Sequence, residues 1–65
     1  MKQYEIRLPY ALSERLAAAF PEMDAVRLTA SSTMLIGVLH DQSELHGILA
    51  RIADMGLEIT EIRQD

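Results

Sequence analysis

Thr33-Met34-Leu35-Ile36-Gly37-Val38-Leu39-His40 is a near-continuous apolar run. It is much shorter than the ~20 residues a membrane-spanning helix needs. It is also too apolar for a strand with one wet side. A run of this length predicts the central strand of a sheet covered on both faces. In so small a chain, whatever covers the second face becomes the main functional question.

Downstream, Asp41-Gln42-Ser43-Glu44 opens a helix. Asp41 is a good N-cap, and Glu44 stands three residues on, as in a capping box. Leu45, Ile48, Leu49, Ile52 and Met55 recur at helical spacing and predict the buried stripe. Gly56 fits the left-handed position after the last turn, with Leu57 making the apolar contact of a Schellman motif. A last strand is expected over Leu57–Arg63, with Leu57 and Ile59 on one face and Glu58, Thr60 and Ile62 on the other.

Upstream, Lys2–Leu8 alternates. Tyr4, Ile6 and Leu8 point one way and Gln3, Glu5 and Arg7 the other. Pro9 ends that strand, having no N–H for a ladder. A helix follows, from Tyr10 or Leu12 to Phe20, with Ser13 a candidate N-cap and Pro21 the stop. Asp24–Ala30 alternates again, with Val26, Leu28 and Ala30 opposed to Ala25, Arg27 and Thr29. Ser31-Ser32 then turns into the apolar strand. Neither residue is Gly or Asn, so a loop longer than two residues is expected.

The order strand, helix, strand, strand, helix, strand predicts one α+β domain over residues 1–65. Its expected form is a ferredoxin-like βαββαβ two-layer sandwich with an antiparallel sheet in the order 4-1-3-2. The most apolar strand then lies centrally. Both helices cover one face and leave the other open. That open face should carry Gln3, Glu5 and Arg7, then Ala25, Arg27 and Thr29, then Glu58, Thr60 and Ile62. Strand three adds either Met34, Ile36 and Val38 or Leu35, Gly37 and Leu39. Either choice draws an apolar strip through paired charges, as in an interface. The expected interface set is Glu5, Arg7, Arg27, Met34, Leu35, Ile36, Val38, Leu39 and Ile62. The edge of strand two is a second possible contact.

Composition narrows the rest. Sixty-five residues bury only a small core, and such chains lean on disulfides, metals or self-association. There is no Cys, so disulfides and thiolate sites are excluded. Six basic residues against ten acidic ones give a net charge of −4, which opposes nucleic-acid binding. No apolar leader or membrane span is read, and a cytoplasmic location is expected. His40, Asp41 and His46 lack metal-ligand spacing, so no metal or cofactor is expected. No nucleophile has an evident base, and Glu58 with Glu61 reads as a solvated face. Gly47, with Ala50, Ala17 and Ala18, is expected to let the two helices approach closely.

Asp41-Gln42-Ser43-Glu44-Leu45-His46-Gly47-Ile48-Leu49, continuing through Met55-Gly56-Leu57-Glu58-Ile59, resembles the C-terminal half of small stand-alone bacterial proteins of uncharacterised function. The same stretch loosely resembles the ACT ligand-binding domain. That resemblance implies an amino-acid sensor binding at a subunit interface, with no binding residue carried over. The residues themselves favour a non-enzymatic, homo-oligomeric interaction or regulatory module, most simply a homodimer using the open sheet face. The alternative is the ACT-like sensor.

Overall fold

The computed structural model describes residues 2–65. Strand β1 (Lys2–Leu8) leads to helix α1 (Glu14–Ala19), the hairpin β2 (Asp24–Thr29) and β3 (Ser32–Leu39), helix α2 (Gln42–Asp54) and strand β4 (Glu61–Gln64). The four strands form one antiparallel sheet in the order β2-β3-β1-β4. Counted from the β4 edge, the same order is 4-1-3-2. The apolar strand β3 and the alternating strand β1 are central, and β2 and β4 are the edges.

Helix α1 is shorter than its apolar spacing suggests. Ser13 is the N-cap, its Oγ accepting from the Leu16 N–H at 3.0 Å, so the helix cannot begin at Tyr10 or Leu12. Tyr10 is used elsewhere. Its carbonyl accepts from the buried Thr33 hydroxyl at 2.8 Å, tying the connection to β3. Helix α2 has both ends specified locally. Asp41 Oδ1 accepts from the Glu44 N–H at 3.0 Å. The Glu44 carboxylate reaches back to the His40 N–H at 2.5 Å, one residue before the N-cap. At the far end Gly56 has φ 74. Its N–H bonds the Ala53 carbonyl at 3.0 Å and the Leu57 N–H bonds the Ile52 carbonyl at 3.1 Å, the two bonds of a Schellman motif. Ile48 and Ile52 are buried and Leu45 and Leu49 half-buried, but Met55 is 40% exposed and falls outside the stripe.

Two further segments depart from the sequence expectation. The hairpin loop is only Ala30-Ser31, flanked by a register shift between Arg27 and Thr29. No non-glycine residue among those described has positive φ. The turn is closed by Thr29, whose hydroxyl accepts from the Ser31 N–H at 3.2 Å and lies 2.8 Å from the Ser32 hydroxyl. Strand β4 starts at Glu61 rather than Leu57, because the preceding backbone is held differently. The Glu58 N–H donates to the Tyr10 hydroxyl at 2.9 Å. The Thr60 N–H and hydroxyl both reach the Arg7 carbonyl, at 2.9 and 3.1 Å.

The core lies between the sheet and the helices: Tyr4, Ile6 and Leu8 of β1, Leu35 and Leu39 of β3, Leu16 and Phe20 around α1, Ile48 and Ile52 of α2, and Met23. Gly37 makes room for Met23, since a Cβ there would stand 3.1 Å from Met23 Cγ. The helices themselves stay apart. No Cα of α1 comes within 8 Å of one in α2, and nothing lies within 4 Å of where a Gly47 Cβ would be. Gly47 is therefore a surface position, not the close-approach site expected for it. Arg51 spans the gap instead. Its guanidinium donates to the Ala19 carbonyl at 3.0 Å, grips the Glu22 carboxylate at 2.8 and 3.0 Å, and lies 5.5 Å from the Phe20 ring centroid. The Arg51 hydrogen bond, aided by a backbone N–H, holds the Glu22 carboxyl below the usual carboxylate value of 4.5. The same contact pushes the Arg51 pKa up.

The two glycines make opposite predictions. Gly47→Ala raises stability by about 1 kcal/mol, since the helix interior there is open and Ala is the better helix former. Gly56→Ala lowers it by about 1 kcal/mol, since an L side chain pays for positive φ. Urea denaturation of both variants checks the signs. Because the Glu22 carboxyl is depressed on folding, the Arg51 clasp contributes stability above the unfolded carboxylate value and loses it as pH falls through the folded one. The pair is solvent-exposed, so Glu22→Gln costs less than about 1 kcal/mol at pH 7. That difference shrinks as pH falls through the lowered folded-state value of the Glu22 carboxyl, as paired urea titrations will show.

Candidate functional site: the open face of the sheet

Residues directly opposite one another in an antiparallel sheet share a face, so strand register decides which side chains meet. Ala25 lies opposite Leu35, and Ile6 lies opposite both Leu35 and Ile62. These belong to the helix-covered side, where Leu35 is 0% exposed. The other side is built of rows running across the sheet. In one row Asp24, Ile36, Glu5 and Arg63 are neighbours; in the next, Val26, Met34, Arg7 and Glu61. Gln3 and Val38 pair in the row beyond Glu5 and Ile36.

The sequence left two choices for strand three, and the register selects Met34, Ile36 and Val38. Met34 and Ile36 are half-buried; Val38 and the neighbouring Val26 are 48% and 43% exposed. Glu5, Arg7, Met34, Ile36 and Val38 thus stand together on the open face. Four of the expected residues do not. Leu35 and Leu39 are in the core. Arg27 lies opposite Thr33, on the helix side. Ile62 also faces the helix side and is 44% exposed only because β4 is an edge strand that the helices do not cover. On β2 the assignment of Ala25 and Arg27 to the open face is reversed, because both faces of that strand mix apolar and charged residues. On β4 the open face carries Glu61 and Arg63 where Glu58, Thr60 and Ile62 were expected, because Leu57–Thr60 is not strand and the bend at Thr60 breaks the alternation.

Asp24, Val26, Glu61 and Arg63 are therefore members of the face that sequence reasoning missed. The signal for Val26 was the pairing of the hairpin, and for Glu61 and Arg63 the Tyr10 and Thr60 bonds that delay β4. The charges across β1 and β4 alternate in sign in both directions: Glu5 beside Arg63, and Arg7 beside Glu61. Among the described residues the one side-chain ion pair within 4 Å is Arg51–Glu22, so these four are close neighbours without a direct ionic contact.

The remaining chemistry is sparse. Among the described residues no group of three or more His, Asp or Glu is placed to hold a metal. His40 and His46 are exposed. The Ser13 and Ser32 hydroxyls are engaged in capping and turn bonds. On the helix side a cleft of about 400 Å³ is lined by Tyr10, Ser13, Arg15, Leu16, Met55 and Leu57. Among the described residues no helix is long and apolar enough to cross a membrane.

These features define a small α+β domain, two helices on one side of a four-stranded antiparallel sheet whose other side is bare. The chain belongs to the family described as a domain of unknown function (DUF8691), which matches residues 3–63. No curated protein and no solved structure matches it.

Adjacent residues of β3 should respond oppositely to charge. Leu35→Glu places a carboxylate in the core and abolishes folding. Ile36→Glu leaves the far-ultraviolet circular dichroism spectrum and the cooperative melt in place.

Proposed function

We propose that this protein is a non-enzymatic interaction module with a ferredoxin-like frame, and that it self-associates through the open face of its sheet. The observation that carries the reading is the bare apolar strip of Val26, Met34, Ile36 and Val38, which crosses β2 and the central strand β3 with charges of both signs beside it. An apolar centre with a polar rim is the anatomy of a protein interface.

The edges of the sheet make poorer contacts. β2 carries Asp24 and Arg27 and is interrupted by a bulge, and β4 has four residues. Charge, bulging and shortness all discourage edge-to-edge pairing. The face remains. Four strands about 4.8 Å apart and about 20 Å long offer about 400 Å² per copy. Two copies bury about 800 Å², the low end for specific complexes. Association costs take up much of the gain, so the dimer exchanges at micromolar concentration rather than being permanent. A module of this kind suits regulation by concentration in the cytoplasm.

A second reading is an ACT-like sensor of small molecules. One observation favours it, the cleft beside Ser13 and Arg15 near the start of α1. The face reading has the broader support, since it accounts for the whole exposed strip.

Sedimentation equilibrium at tens of micromolar should give a mass near twice the 7.3 kDa of the chain. Ile36→Glu should return it to one chain's mass with the fold intact. A parent protein that sediments as a monomer at hundreds of micromolar sinks the proposal.

A further inference from the structure

The open face carries a charge pattern that is self-complementary in one register. We propose that two copies of this chain pack sheet on sheet about a two-fold axis that crosses the strands between the Glu5 row and the Arg7 row. This rests on the open face being a self-association surface, and goes further by specifying which residues meet.

An isologous contact requires the face to match itself after the rotation. A two-fold axis running along the rows, midway between them, lays each row on its neighbour in the other copy. Ile36 then sits over Met34 of the second copy, and Met34 over Ile36, so that the apolar strip covers itself. Glu5 meets Arg7 and Arg63 meets Glu61, each twice by symmetry. Only Asp24 faces an apolar residue, Val26, and it does so on the edge strand where water reaches it.

Other two-fold placements are worse. An axis parallel to the strands along β3 sets Glu5 against Asp24 of the second copy, a contact of like charges. An axis parallel to the strands between β3 and β1 gives Asp24 an Arg63 partner, but lays Ile36 on Glu5 and Met34 on Arg7. Charges are then desolvated against aliphatic carbon without compensation. The cross-strand axis is the one that satisfies the strip and the charges together. Packed sheets stand about 10 Å apart and turn by about 30°. That turn displaces the outermost rows most, so the Glu5–Arg7 contact beside the strip is the one to probe.

The test uses two variants of the full chain. In Glu5→Arg, two cations face each other across the axis in a homodimer. In Arg7→Glu, two carboxylates do. Both positions lie on the open face, so circular dichroism spectra and melts stay close to the parent's. Each variant alone should associate at least about tenfold more weakly than the parent. An equimolar mixture should recover the parent's affinity to within about threefold, since opposite charges then face each other at both positions. Native mass spectrometry resolves the mixed dimer by mass. A mixture that associates no better than its components overturns this register. If the parent is dimeric and Ile36→Glu disperses it while the mixture fails, the register alone falls. If the parent is monomeric, both proposals fall.

Discussion

Strand β3 has apolar side chains on both of its faces, while both helices lie on one side of the sheet. Everything else in the molecule answers that constraint. On the covered side Leu35 and Leu39 join Tyr4, Ile6 and Leu8 to make the floor of the core. On the other side Met34, Ile36 and Val38 are left with no described element above them. Burial of apolar area drives folding, so one strand divides its alternate residues between the core and the open face. The period of two along a strand is what separates them.

The covered side is held through the sheet rather than by helix-on-helix packing. With α1 and α2 apart, each rests on the strands beneath it, and Arg51 bridges what remains. A guanidinium suits that place because it can bond a carbonyl at the end of α1, fork onto the Glu22 carboxylate and lie over the Phe20 ring at once. It also commits that cation to structure. Arg7 and Arg63 are not committed in this way and remain available on the open face. Tyr10 ties in the connections at both ends of the chain, its carbonyl reaching β3 and its hydroxyl the segment before β4. The segment it holds is not strand, and the bend at Thr60 that follows sets Glu61 and Arg63 on the open face.

The charges on the face do work that the apolar strip cannot. An aliphatic patch is non-directional and accepts any apolar surface. Alternating signs at fixed cross-strand positions favour one orientation and oppose others. In a protein of net charge −4, a region where Glu and Arg alternate so evenly is a local departure from the overall balance.

Much of this was legible in the residues. Pro9, the Ser13 cap, the Asp41–Glu44 pair and Gly56 are local signals, and each acts within a few residues of where it stands. The order strand, helix, strand, strand, helix, strand, with right-handed crossovers, placed β3 and β1 at the centre of the sheet, where the most apolar strand belongs. Pairing between distant segments was not legible. Val26 and Ala25 are both apolar, and only the register of the hairpin, shortened by the Thr29 hydroxyl, chooses which of them faces the core. Ile62 and Arg63 exchange faces because Leu57–Thr60 is not strand and bends at Thr60, which breaks the alternation before β4, and that segment is tied to Tyr10, 48 positions away from Glu58. Parity along a strand reverses with a single-residue shift. Sequence alone therefore determined that one side of the sheet would be bare, and tertiary contacts decided which side chains stand on it.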